Sequence, residues 1–365
     1  MSIESRCRKA TLSLLAVLSW FIPAIGQTQL SQYRPGVTAE GAVYYLPRTV
    51  VRISVLVEKT VFTPGDFAPY ARRYLRVTDA GEEIQKSFRV VGISQTAMPQ
   101  ADTAKVYAVK FDARTAASHI TLSDDGRLLG INVDDAADVQ APEAFIAAEQ
   151  PVPTNPRNFL GEDILSCGST AKMAELIAHE IYDLRENRSL LIKGQADFMP
   201  HDGLQMKLML DELQRQDDGL TSLFLGTTRR DTTEHVLWVD VNAPVERQVL
   251  FRLSQVHGLV EADDLSGAPY YISIEDITQL PAPEPETKKK GNKAAVHGIY
   301  VNVPGRLRCT LYEGINILQA EEHPAPQFGQ VMLLSANLFN KRYSTRLWVD
   351  ALTGAMLRLD ADQPH

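Results

Sequence analysis

Cysteine is nearly absent from this chain of 365 residues: there are three, Cys7, Cys167 and Cys309. That scarcity excludes a disulfide-stapled scaffold and the clustered thiolates of a zinc or iron–sulfur site. No C-x-x-C, H-x-H or D-x-D-x-D-G spacing occurs, and the histidines stand singly. Neither a G-x-S-x-G elbow nor a glycine-rich phosphate loop is present, so no catalytic residue, metal site or cofactor is read from motifs. Basic charge is also in deficit, with 37 Lys+Arg against 45 Asp+Glu. A chain this acidic repels phosphate backbones and anionic lipid, which argues against a nucleic-acid partner. Long apolar runs are missing beyond residue 26, so no later segment reaches the ~18 residues of a membrane helix.

The one long apolar run is at the start. Arg6, Arg8 and Lys9 precede Leu14–Ile25, broken only by Ser19 and Pro23, and Ala24-Ile25-Gly26 gives a small–x–small site before Gln27. Residues 1–26 read as a signal peptide, too short to remain as a span. The expectation is an exported protein, periplasmic or outer-membrane-associated, cleaved near Gly26. Cleavage removes three bases and one acid, leaving 34 basic against 44 acidic side chains. No cysteine directly follows the apolar run, so a lipoprotein anchor is not expected. Residues 27–40 lack periodicity and read as a leader.

At 44% hydrophobic, the remainder can bury sizeable cores. Residues 41–148 read as an α+β unit. Val51, Ile53, Val55 and Val57 alternate with mostly polar neighbours, as in a strand. Phe67, Tyr70, Ala71 and Tyr74 have helical spacing. Strands are expected at 87–96 and 105–112, and Asp125-Gly126 sits between apolar runs as a hairpin turn. Residues 149–160 read as a linker. Residues 161–226 change period: Met173, Leu176, Ile177, Ile181 and Leu184 form one stripe, and Met206, Met209, Leu210, Leu213, Leu220 and Phe224 another. Gly194 and Gly226 end these helices and Asp202 can cap the second, which predicts an antiparallel hairpin. Leu208 and Leu223, off the stripe, are expected to contact a sheet. From 227 to 360 the period returns to 2, a β-rich domain of sandwich or barrel-like form, with the polar spacer 281–293 inside it. His235–Asp240 (HVLWVD) echoes Thr345–Asp350 (TRLWVD), raising the prospect of a duplicated β unit. Leu237, Val239, Leu347 and Val349 should then face cores, with Trp238 and Trp348 on opposite faces. The fold class is α+β.

Several sites need weighing. Ser169-Thr170-Ala171-Lys172 has the S-x-x-K form of penicillin-recognising enzymes, but no K-T-G follows, so Ser169 reads as a helix cap. His179-Glu180 opens like a zinc-protease helix, yet Asp183 replaces the second histidine, leaving a polar helix face. Cys309 alternates with polar neighbours and falls on a buried strand face. Cys167 and Cys309 are either a disulfide pair or two separate reduced core cysteines. Tyr44, Tyr45, Tyr270, Tyr271, Tyr300, Trp238 and Trp348 are the candidate ligand-binding side chains, because flat rings give stacking faces for sugars and peptides. Core-edge packing is the competing role for each. The functional expectation is non-catalytic binding of an envelope glycan, peptide or protein partner. The alternative is a glycan or peptide hydrolase with its site at a domain interface.

Two sets of segments carry a resemblance. Tyr45-Leu46-Pro47-Arg48-Thr49-Val50-Val51, Phe62-Thr63-Pro64-Gly65-Asp66-Phe67 and Tyr74-Leu75 form the first. Lys172-Met173-Ala174-Glu175-Leu176, Met199-Pro200, Asp202-Gly203 and Met206–Leu213 form the second, with Gln327-Phe328-Gly329 further on. Together they resemble, over residues 40–360, a family of secreted proteins from Bacteroides and relatives, domain of unknown function 4831. The resemblance implies an envelope location and one architecture along the chain. It supplies no catalytic residues.

Overall fold

The structure is a computed structural model that describes residues 36–38, 41–110, 119–148, 150, 154–279, 298–339 and 344–362. The signal peptide read at 1–26, most of the leader and the spacer 281–293 lie outside the described residues. In chain order the elements are β1 (Gly36–Thr38), β2 (Gly41–Thr63), α1 (Ala71–Tyr74), β3 (Gln85–Lys110), β4 (Ile120–Leu122), β5 (Leu128–Ile131), α2 (Glu162–Leu165), α3 (Thr170–Lys193), α4 (Gly203–Leu225), β6 (Thr227–Asp240), β7 (Val245–Ser254), β8 (Gly258–Val260), β9 (Ala268–Asp276), β10 (Gly298–Glu313), β11 (Asn316–Ser335), β12 (Ser344–Val349) and β13 (Met356–Asp362). The class is α+β, with antiparallel sheets and a helical pair in the middle.

Among the described residues, three sheets result. The first has the order β3-β2-β6, with β1 beside the start of β2; the second is β11-β10-β9-β7-β8; the third is β13-β12-β5-β4. Segments far apart in sequence share sheets. β6 pairs with β2 from Val50↔Asp240 to Thr63↔Thr227, and β12 pairs with β5 at Leu347↔Ile131. The alternation of β2 explains the main core. Val51, Ile53, Val55 and Val57 turn one face of the first sheet onto Phe251, Ile272, Ile274, Leu307 and Leu311 of the second, closing a β-sandwich. A second core joins Ala42, Tyr44 and Leu46 to Ile131, Ile299, Val301, Leu347 and Val349. As expected, Leu347 and Val349 are buried, Leu237 and Val239 lean on the sandwich core, and the tryptophans take the other faces.

The long hairpins β2–β3 and β10–β11 are built alike. Register jumps from Tyr45↔Val106 to Pro47↔Ala101 in one, and from Val303↔Gln330 to Gly305↔Ala325 in the other. In each, one residue beside or at a proline faces four on the partner strand, a bulge that kinks the strand. Just before each kink the chain docks on the turn of the following short hairpin. Tyr45 N donates to Gly126 O at 2.8 Å, and Asn302 N donates to Gly354 O at 2.8 Å. Both glycines are left-handed, at φ 84° and 71°, where a side chain would be strained. The molecule therefore contains a repeat, but HVLWVD and TRLWVD do not mark it: they fall on β6 and β12, in different sheets.

α3 and α4 form the expected antiparallel hairpin. Gly194 ends α3 in the left-handed region at φ 69°, and the Asp202 carboxylate accepts from Gln205 N at 2.7 Å. Ile177, Ile181 and Leu184 meet Leu220, Leu223 and Phe224, and Phe67 and Ala71 complete this third core. Phe67 N donates to Leu223 O at 2.8 Å. A Cβ on Gly65 would lie 2.2 Å from that same carbonyl oxygen, so only glycine admits the contact. Two expectations are corrected. Leu208 is 70% exposed and makes no sheet contact, because only the base of the hairpin docks. Ser169 occupies the cap position of α3, but its side chain makes no capping bond. Among the described residues, no helix is long and apolar enough to cross a membrane.

Candidate functional site

Most of the aromatic candidates are structural. Tyr44 is buried; its hydroxyl donates to Tyr300 O at 3.1 Å and accepts from Tyr300 N at 2.8 Å. Tyr107 stacks on Tyr300 with ring centres 4.3 Å apart. Burial pushes the Tyr44 phenol well above its ordinary range. Tyr45, half-buried beside it in sequence, bridges Arg127 through the backbone. Tyr270 stacks on Phe251 at 4.6 Å and donates to Glu313 Oε1 at 2.6 Å. Tyr271 lies under the Arg247 guanidinium, 5.1 Å from its ring centre. Trp348 donates to Asp135 Oδ1 at 2.9 Å while Arg358 covers its ring at 4.9 Å. Tyr44 and Tyr300 are thus brought together, as are Tyr270 and Tyr271 through their strand. Each set is occupied by the protein's own groups.

The cysteines do not pair. Cys167 and Cys309 are both free, and Cys309 is fully buried in the sandwich core. Burial pushes the Cys309 thiol up to about 12, so it stays protonated. Lys172 of the S-x-x-K segment is paired with Glu175 at 2.8 Å.

Trp238 differs from all of these. It is 59% exposed on the outer face of the first sheet. Its cross-strand neighbour is Arg52, whose Nη2 bonds Glu234 Oε1 at 2.9 Å. Ser54 Oγ donates to the same oxygen at 2.6 Å, and Phe145 N donates to Glu234 Oε2 at 2.9 Å. These bonds, that from Ser54 first, draw the Glu234 carboxyl down to about 2. Phe145 belongs to a strap without regular structure that follows β5. Farther along, Arg48 bonds Gln100, Asn242 and Asp240. Val236, two residues before Trp238 on β6, is exposed as well, and so are Phe145 and Ile146 of the strap, Ile146 at 89%. Val236 and Trp238 thus lie along β6 between two polar networks, that of Glu234 and that of Asp240. The alternation of β6 in the sequence pointed to Trp238. Glu234, Arg52 and Ser54 were readable only as polar positions of paired strands, because their meeting depends on which strands pair.

Concavities also lie elsewhere among the described residues. An open cleft of about 830 Å³ sits where the helical hairpin meets the sheet, lined among others by Asp66, Arg157, Asp211, Gln214 and Asp218. Arg157 pairs with Asp66 at 3.0 Å, and Gln214 donates to Asp218 at 2.7 Å. An apolar groove of about 600 Å³ lies near the hairpin tip between Leu190, Phe198, Leu208 and Met209. Among the described residues, no group of three or more His, Cys, Asp or Glu is placed to hold a metal.

Residues 40–357 match the family described as Domain of unknown function (DUF4831), and the chain belongs to it. No curated protein and no solved structure matches the chain.

Proposed function

We propose that this is an exported, non-catalytic binding protein of the cell envelope, engaging its partner through the Trp238 face of the first sheet. The observation that carries the proposal is the exposure of Trp238. Large aromatic rings cost free energy in water, and on a flat sheet face they serve as anchors for partners. Of the other aromatic candidates, Tyr44 is buried, Tyr270, Tyr271, Tyr300 and Trp348 are covered by an aromatic ring or arginine, and Tyr45 is half-buried. Export is supported by the charge and apolar pattern of residues 1–26. The test is a pull-down from envelope extract together with a glycan array, each run with wild type and Trp238→Ala. The reading expects a partner that the variant loses. Equal capture by both proteins contradicts it.

The hydrolase alternative has one supporting feature, the polar cleft at the helix–sheet junction, a position where active sites commonly lie. In that reading Asp211 is the natural general base, and Asp211→Asn would abolish turnover of an envelope polysaccharide or peptide substrate. Unchanged turnover in the variant removes Asp211 from that role.

A further inference from the structure

The backbone of β6 specifies what kind of partner the Trp238 face takes, and the inference rests on the reading above. Thr49 of β2 directs its N–H and its C=O to the β6 side, where the Gln327 side chain holds them at 3.0 and 2.9 Å. Backbone groups alternate sides along an antiparallel strand. The odd residues of β2 therefore bond β6, through Val51↔Val239, Ile53↔Leu237 and Val55↔His235. The even residues of β6 turn their groups the other way. Arg230 fixes this phase independently, since its C=O accepts from the Gln150 side chain. Thr232, Glu234, Val236 and Trp238 continue the outward series. Among the described residues, no strand lies beside them.

The second sheet shows how the corresponding slot is filled. β9 stands beside β10 as β6 stands beside β2, and β7 covers the far edge of β9 antiparallel. Other long edges are guarded. β11 carries Pro324, Pro326, Glu321 and Glu322, and β3 carries Pro99 and its bulge. His235–Val239 has no proline, no Lys or Arg and no register shift. An unguarded edge of this kind is a template for another strand. The matching slot identifies the occupant, since Glu234 and Asp240 of β6 are already paired with Arg52 and Arg48. β7, the occupant of the matching slot, sets Leu250, Phe251 and Leu253 against the core and carries Arg247 and Arg252. We infer that β6 accepts an extended polypeptide segment as an added antiparallel strand, with apolar side chains at alternate positions and Lys or Arg at its flanks. Its backbone bonds the outward groups of β6, and its side chains cover Trp238 and Val236.

The probe is a fluorescent acetyl-Lys-Thr-Val-Thr-Val-Thr-Val-Lys-amide peptide titrated into the full chain and followed by anisotropy. Saturable binding is expected. Val236→Pro removes an outward N–H and leaves the β2 ladder intact, a place where proline is tolerated. It should weaken binding about tenfold or more, whereas Val236→Thr should not. If Val236→Pro fails to fold, the same peptide N-methylated at alternate valines gives the test from the ligand's side. No binding to wild type, or equal binding by Val236→Pro and by the methylated peptide, overturns strand addition. A glycan that requires Trp238 but ignores Val236→Pro also overturns it, while sparing the binding reading. A Trp238→Ala protein that captures every partner of wild type overturns both.

Discussion

β6 and β9 occupy matching places beside two long, similarly kinked hairpins, yet one is open and the other enclosed. β9 has β10 on one side and β7 on the other, and its Ile272 and Ile274 are buried. β6 has β2 on one side, and its Trp238 and Val236 face solvent. The same backbone plan thus yields a strand that stabilises the fold and a strand left available. What decides between them is a segment that comes earlier in the chain: β7 pairs with β9 along its far edge, whereas among the described residues the strap before α2 hydrogen-bonds β6 at Glu234 and Arg230.

Five substitutions sharpen this contrast, and the largest effect belongs to the enclosed strand. Ile272→Ala should lose about 2–5 kcal/mol of stability by denaturant unfolding, because a packed core leaves a cavity. Val236→Ala, its counterpart in exposure, should stay within about 0.5 kcal/mol. Tyr44→Phe comes next. It leaves the Tyr300 N–H and C=O without the hydroxyl that serves both, and should cost about 1–3 kcal/mol. The Glu234 network gives a pH signature. Its carboxyl titrates near 4.5 when unfolded and at about 2 when folded. Its contribution is therefore complete above the unfolded value and lost as pH falls through that window. Melting curves should show Glu234→Gln flattening this part of the acid limb. The smallest stability effect is that of Trp238→Ala, within about 0.5 kcal/mol of wild type while partner capture disappears.

Local patterns made much of the fold legible. Alternation placed Val51, Ile53, Leu347 and Cys309 on buried faces, and 3.6 spacing with Gly194 and Asp202 delimited the helical hairpin. Asp125-Gly126 located the β4–β5 turn. Pairing across the chain was not legible. Nothing local to Leu237 says that it lies beside Ile53, so the first sheet's three-strand order and the Arg52–Ser54–Glu234 cluster were hidden. The continuity of β3 was hidden too, because its four-residue bulge reads as a break between two strands. Leu208 misled for a related reason. An apolar residue off the helix stripe implies a neighbour, but the docked part of the hairpin ends before it is reached. Aromatic residues gave candidates without ranking them, since Tyr44 and Trp238 look equally suited until burial separates them.

Residue-resolved hydrogen exchange of β6 and β9 in the isolated protein tests the contrast most directly. The account predicts rapid exchange at Thr232, Glu234, Val236 and Trp238, slow exchange at the odd residues between them, and uniform protection along the core of β9. Uniform protection along β6 would show its outer edge already covered and would contradict the account.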